Sequence, residues 1–226
     1  MGNVNGVVRV LVVLAAGLLR AAHGPSACAQ QTELVSAPRL QLVWIDVLGS
    51  APYAFQKAAR ETSAILAGAG VEASWTLGDA STVTTGDELK IVLMPGNPIG
   101  ARLPERVMGG TRRGAQSHTT WIYLSNVLWA LDLKDSAARG LSAREEEQVA
   151  RALGRVAAHE IVHAVAPGMP HSAHGLMSGT LGRAYLTQPT AALAPAERKL
   201  FRAAVEAFGP VTASAPVAVT VAAGGR

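Results

Sequence analysis

The chain is expected to fold as an α+β domain: a single twisted mixed sheet, a central buried helix, and an amphipathic helix towards the C-terminus. Three observations carry that expectation. Four short β-rich runs lie between positions 40 and 124. Residues 149–165 are apolar on nearly every side, as in a helix buried all round. The order β-α-β-β-β-α, then a loop, then α places helices on one sheet.

Residues 40–48 (LQLVWIDVL) are β-rich and mostly apolar, which predicts a central strand. Pro52 then opens a helix in which Phe55, Ala58, Ala59, Thr62, Ile65 and Leu66 recur at helical spacing, and Gly68 and Gly70 end it. Residues 71–77 (VEASWTL) alternate as a second strand does. After a turn-rich loop, residues 90–94 (KIVLM) form a third, stopped by Pro95-Gly96. Residues 96–119 are rich in Gly, Pro and Arg and predict a long irregular loop, a kind of segment often kept for function. Residues 120–124 (TWIYL) are the fourth strand, expected at the sheet edge, where it would bind an extended peptide by strand addition. Ser142 with Glu145 is a capping box, and Glu145, Glu146 and Glu147 put negative charge at the positive end of a helix dipole. That helix runs through residue 165 and stops at Pro167-Gly168. A loop follows, and residues 196–208 form the last helix.

Composition excludes several classes. Of 226 residues, 49% are hydrophobic and 16% charged, too apolar for a disordered chain. One cysteine rules out a disulfide framework or a Cys-rich zinc module. The formal charge of +4 is scattered, with no basic run longer than Arg112-Arg113, so no nucleic-acid footprint is expected. Residues 1–29 have the form of a signal peptide: Arg9, an apolar run over 10–19, and Ala27-Cys28-Ala29 as a small-x-small cleavage site. The chain is therefore expected to be exported, periplasmic or extracellular, with an N-terminal membrane anchor as the alternative. Cleavage would remove the cysteine, Arg9 and Arg20. It would leave one folded domain over 30–208, a low-complexity tail over 209–226, and no membrane contact.

The chemistry concentrates in His159-Glu160-Ile161-Val162-His163. Residues four apart on a helix share a face, so His159 and His163 can reach one metal ion, and Glu160 beside them can take a proton from zinc-bound water. Two histidines and a glutamate are costly in an apolar helix unless paired or metal-bound. A third ligand has to come from downstream, and His171, His174 and Glu197 are the candidates. Asp132 and Asp135 read as solvated or capping residues, and His118 as a loop histidine that could line a cleft.

The stretch HEIVHAVAPGMPHSAHGLM resembles the metzincin zinc peptidases, whose motif is HExxH, a glycine turn, a third histidine and a methionine turn. It is also similar to uncharacterised exported bacterial proteins with HExxH, seven intervening residues, His-Ser and Gly-Leu-Met. The resemblance covers chiefly residues 149–177. It implies a zincin-like fold and zinc-dependent peptide hydrolysis. The ligands would be His159, His163 and His171, Glu160 the general base, Met177 a hydrophobic floor, and a peptide or protein the substrate. Two departures stand out. The family's glycine is Ala166 here, and its third histidine would fall on Met169 rather than two residues later at His171. The resemblance therefore implies that Pro167-Gly168 supplies the turn.

Overall fold

The computed structural model describes residues 37–82, 86–96, 104–111 and 116–208. The expected signal segment and tail lie outside the described residues. Among those described, no helix is long and apolar enough to cross a membrane.

The structure is a mixed α+β fold around one five-stranded sheet. The strands are β1 (Arg39–Asp46), β2 (Glu72–Gly78), β3 (Glu88–Met94), β4 (Gly109–Thr111) and β5 (Thr119–Tyr123), in spatial order β2-β1-β3-β5-β4. Every pairing is parallel except β4 with β5, which is antiparallel and leaves β4 at the edge. This corrects one expectation: the strand at Trp121 is interior, and the edge is a three-residue strand inside the segment expected to be irregular. Gly109-Gly110 carries no β propensity of its own. Pairing makes the strand, with Gly109 opposite Ile122 and the Tyr123 N–H donating to the Met108 carbonyl at 2.8 Å.

Helix α1 (Phe55–Ala67) returns the chain from β1 to β2 and buries Ala58, Ala59, Thr62, Ile65 and Leu66, five of the six positions whose spacing predicts it. Two short helices, α2 (Leu124–Ala130) and α3 (Lys134–Arg139), fill a stretch that has no long apolar period. Helix α4 (Ala143–Val165) is the centre of the molecule. Its capping box forms as the sequence indicates: the Ser142 hydroxyl accepts from the Glu145 N–H at 3.3 Å, and the Glu145 carboxylate accepts from the Ser142 N–H at 2.8 Å. Val149, Leu153, Val156, Ala157, Ile161 and Val165 are all within the core.

Helix α4 crosses α1 at close range because residue 154 is glycine. A β-carbon there would stand 2.7 Å from the Ala58 carbonyl oxygen. The Thr62 hydroxyl sits in the same crossing, 2.9 Å from the Ala58 carbonyl oxygen and 2.8 Å from that of Gly154. Beyond α4 come α5 (Arg183–Thr187) and α6 (Pro195–Glu206). Arg155 is fully buried and ties these parts together. It is paired with Glu61 at 2.7 Å and donates to the carbonyls of Tyr185 and Gln188.

Candidate metal centre

Helix α4 sets His159 and His163 one turn apart, and the chain behind its C-terminus returns His171 to them. The ligand-capable atoms of His159, His163 and His171 lie within 4.8 Å of one another, the one such group of three among the described residues. Nε2 of His163 and Nε2 of His171 are 3.0 Å apart. The ring centroids of the three stand 4.7, 5.3 and 4.8 Å from each other. His174 and Glu197 are not members of the group. His174 is exposed, its carbonyl accepting from the Ser172 hydroxyl. The Glu197 carboxylate accepts from the Ala194 N–H at 2.7 Å, in the first turn of α6 behind Pro195.

The return loop is built differently from the expected glycine turn. Helix α4 ends with the Ala166 N–H on the Val162 carbonyl, and the Met169 N–H donates to the Ala166 carbonyl. Gly168 has no positive φ; the loop's left-handed residue is Gly175, at φ 85°. There the chain tightens, Ser172 donating its N–H to the Met177 carbonyl at 2.8 Å. Met177 is fully buried, and the carbonyl of Leu176 before it accepts from Nδ1–H of His159 at 2.7 Å. That bond orients the ring and leaves Nε2 as its lone-pair nitrogen. Gly179 lies against His171, where a β-carbon would meet Nδ1 at 3.3 Å.

Burial holds His159 below the ordinary imidazole range, with the Leu176 carbonyl opposing. A neutral imidazole is the form that binds a metal. The donor set therefore fits zinc: three imidazoles in a cleft, with room for a fourth ligand. That cleft has a volume of about 670 Å³ and is lined by the three histidines and by residues of the edge strand.

Glu160 is buried against that strand. Loss of hydration pushes its carboxyl up to about 7, opposed by the Thr111 hydroxyl. Thr111 Oγ1 lies 3.2 Å from Glu160 Oε2 and 3.3 Å from the Glu160 carbonyl oxygen. Gly109 makes the close approach possible, because a β-carbon there would fall 2.7 Å from both Cγ and Oε1 of Glu160. Ladder alternation turns the N–H and C=O of Gly109 and Thr111 away from β5, towards the outer side of the edge strand. Tyr123 also lines the cleft; burial raises its pKa first, then the neighbouring Glu160.

Gly109, Thr111 and Tyr123 had no metal-ligand or catalytic signature in the sequence. The Gly109-Gly110 doublet was the only readable signal. His118 does not line the cleft: its ring stacks on Phe208 at 4.5 Å, and its Nδ1 lies 3.3 Å from the Glu88 carbonyl oxygen. Asp132 is exposed, 3.5 Å from Arg183, and Asp135 lies exposed in the first turn of α3.

No known family model matches the chain, and no curated protein matches it. Solved structures are similar to it, two of them as follows. One is archaemetzincin from Methanopyrus kandleri, 12% identical over 77% of this chain and 99% of that one, with a TM-score of 0.47. The other is a zinc-dependent peptidase from Methanocorpusculum labreanum, 11% identical over 71% of this chain and 99% of that one, with the same TM-score.

Proposed function

We propose that the protein is a zinc-dependent metallopeptidase that hydrolyses peptide bonds with Glu160 as general base. One observation carries this reading: three histidine side chains and a buried glutamate meet in one cleft that the sheet's edge strand β4 lines. His159, His163 and His171 would hold the ion. When bound, zinc supplies a Lewis acid that polarises a peptide carbonyl and makes water nucleophilic near neutral pH.

The remaining work falls to the chain's own groups. Glu160 accepts the proton of the attacking water and returns it to the leaving amine. The Thr111 hydroxyl fixes Oε2, and the Leu176 carbonyl fixes the His159 ring. The outward backbone groups of Gly109 and Thr111 would align an extended substrate as a further strand. The export signal in residues 1–29 would deliver this activity outside the cytoplasm. Cell fractionation of the full chain checks that part.

The deciding experiment measures zinc content and hydrolysis of an unfolded protein for wild type and Glu160→Gln. Zinc bound by both, with hydrolysis by wild type alone, is expected. Retained hydrolysis in the variant refutes the general-base assignment. Zinc without hydrolysis in either would favour a zincin-fold binding protein with a structural metal.

A further inference from the structure

Among the described residues that line the cleft, one side chain carries a fixed charge. The exposed Arg106 lines the cleft three residues before Gly109, and no ion pair is formed by it among the described residues. The other titratable groups among the described lining residues are the three histidines, Tyr123 and Glu160, which belong to the metal centre and the edge strand beside it. The rest of the lining is largely apolar or small, including Val107, Met108, Met169 and Leu181. A peptide passing Arg106 therefore meets a side chain that prefers an anion.

Its position along the substrate follows from the strand. Three residues of chain span at most about 11 Å, so Arg106 lies within about three substrate residues of the point where Gly109 touches Glu160. The sheet direction adds the polarity. Antiparallel pairing is the more stable ladder, so a peptide added to β4 runs against it. Its part C-terminal to the scissile bond then passes towards Arg106. An arginine recognises a carboxylate through paired N–H donors.

We propose that Arg106 is a specificity-determining residue that receives a carboxylate on the C-terminal side of the scissile bond. The carboxylate is an acidic side chain or the substrate's own C-terminus. The inference rests on the peptidase reading for its geometry, but its test does not depend on turnover.

Short amidated peptides of uncharged residues, each carrying one Glu at a different position, are compared with matched Gln peptides and with the same Gln peptides left with a free C-terminus. Binding is followed by fluorescence anisotropy on zinc-loaded Glu160→Gln protein, with and without Arg106→Gln. Cleavage is followed on wild type and on Arg106→Gln. A Glu peptide or a free-acid peptide should bind about three- to fivefold tighter than its neutral match at low salt, and Arg106→Gln should abolish the difference. The preference should shrink as ionic strength rises. Which peptide shows it identifies the source of the carboxylate. Equal binding of acidic and neutral peptides at every position overturns the proposal, as does an acidic preference that survives Arg106→Gln. Arg106-dependent binding without any wild-type cleavage would sustain the subsite and defeat the peptidase reading. Cleavage of all peptides alike, unaffected by Arg106→Gln, would do the reverse.

Discussion

Replacing Gly109 by Ala tests whether the edge strand positions Glu160 by direct contact. An added β-carbon would lie 2.7 Å from Glu160 Cγ and Oε1 and 2.9 Å from Cδ. Carbon atoms are comfortable at about 3.5–4.0 Å, so the carboxylate or the strand must give by about 1 Å. The φ of Gly109 is not in the left-handed region, so the cost comes from contact rather than from backbone conformation. Glu160 has little room to retreat at 7% exposure. Overpacking of this kind costs about 1–3 kcal/mol, of which the stiffer unfolded chain returns about 0.4–1 kcal/mol. The melting temperature should therefore fall by only a few degrees. Activity should suffer far more, because a catalytic group displaced by about 1 Å loses about 10²-fold in rate. The assay is kcat and KM on a quenched peptide, with zinc content and melting temperature measured in parallel. Gly110→Ala is the control. Its β-carbon would meet Tyr123 Oη at 3.7 Å, an ordinary contact, and the variant should stay within a few-fold of wild type. Unchanged kcat/KM in Gly109→Ala, or equal losses in both variants, would refute the contact argument.

Gly154→Ala should destabilise the fold without touching the cleft. Its β-carbon would meet the backbone of Ala58 at 2.7 Å; a clash near 3 kcal/mol, less about 1 kcal/mol of helix propensity, leaves a net loss near 2 kcal/mol by urea unfolding. His171→Ala should weaken zinc binding by roughly 10²-fold or more in a chelator competition, beyond the usual effect of losing an outer partner, whereas His174→Ala should leave it unchanged. Glu145 supports folding in acid. Hydrogen bonds from the Ser142 backbone and hydroxyl, then from Ser136, lower its carboxyl from 4.5 to about 2. A lowered value means the contribution is complete above about pH 4.5 and is lost as pH falls towards 2. Glu145→Gln should therefore lower the urea midpoint at pH 7 and nearly cease to matter at pH 2, and an equal deficit at both would contradict the argument.

Local patterns were enough for the elements that carry their own signal. The apolar run, the Ser142–Glu145 box and the spacing of His159 and His163 all lie within one helix, where a period of 3.6 residues fixes which side chains share a face. Helix α1 was legible for the same reason, and the first strand through its β-rich apolar run. The elements that escaped, β4 and the short helices α2, α3 and α5, have no period long enough to register. Strand β4 exists because β5 lends it hydrogen-bond partners. The identity of the third histidine was also beyond local pattern, since His171 and His174 stand three residues apart in one loop. The bend through Ala166 and Met169 and the left-handed Gly175 bring one ring to the cluster and leave the other in solvent.

By itself, then, the sequence determined the chemistry offered: two imidazoles and a carboxylate on one helix, with histidines following within a short loop. Only the tertiary structure decided how that chemistry is held. It selected His171, laid Gly109 and Thr111 against Glu160, buried that carboxylate, and placed Arg106 within the same cleft. Helical spacing is a property of neighbours in the chain. Burial and the approach of a sheet edge depend on residues some fifty positions away, such as Thr111 from Glu160, and exist only once the chain has packed.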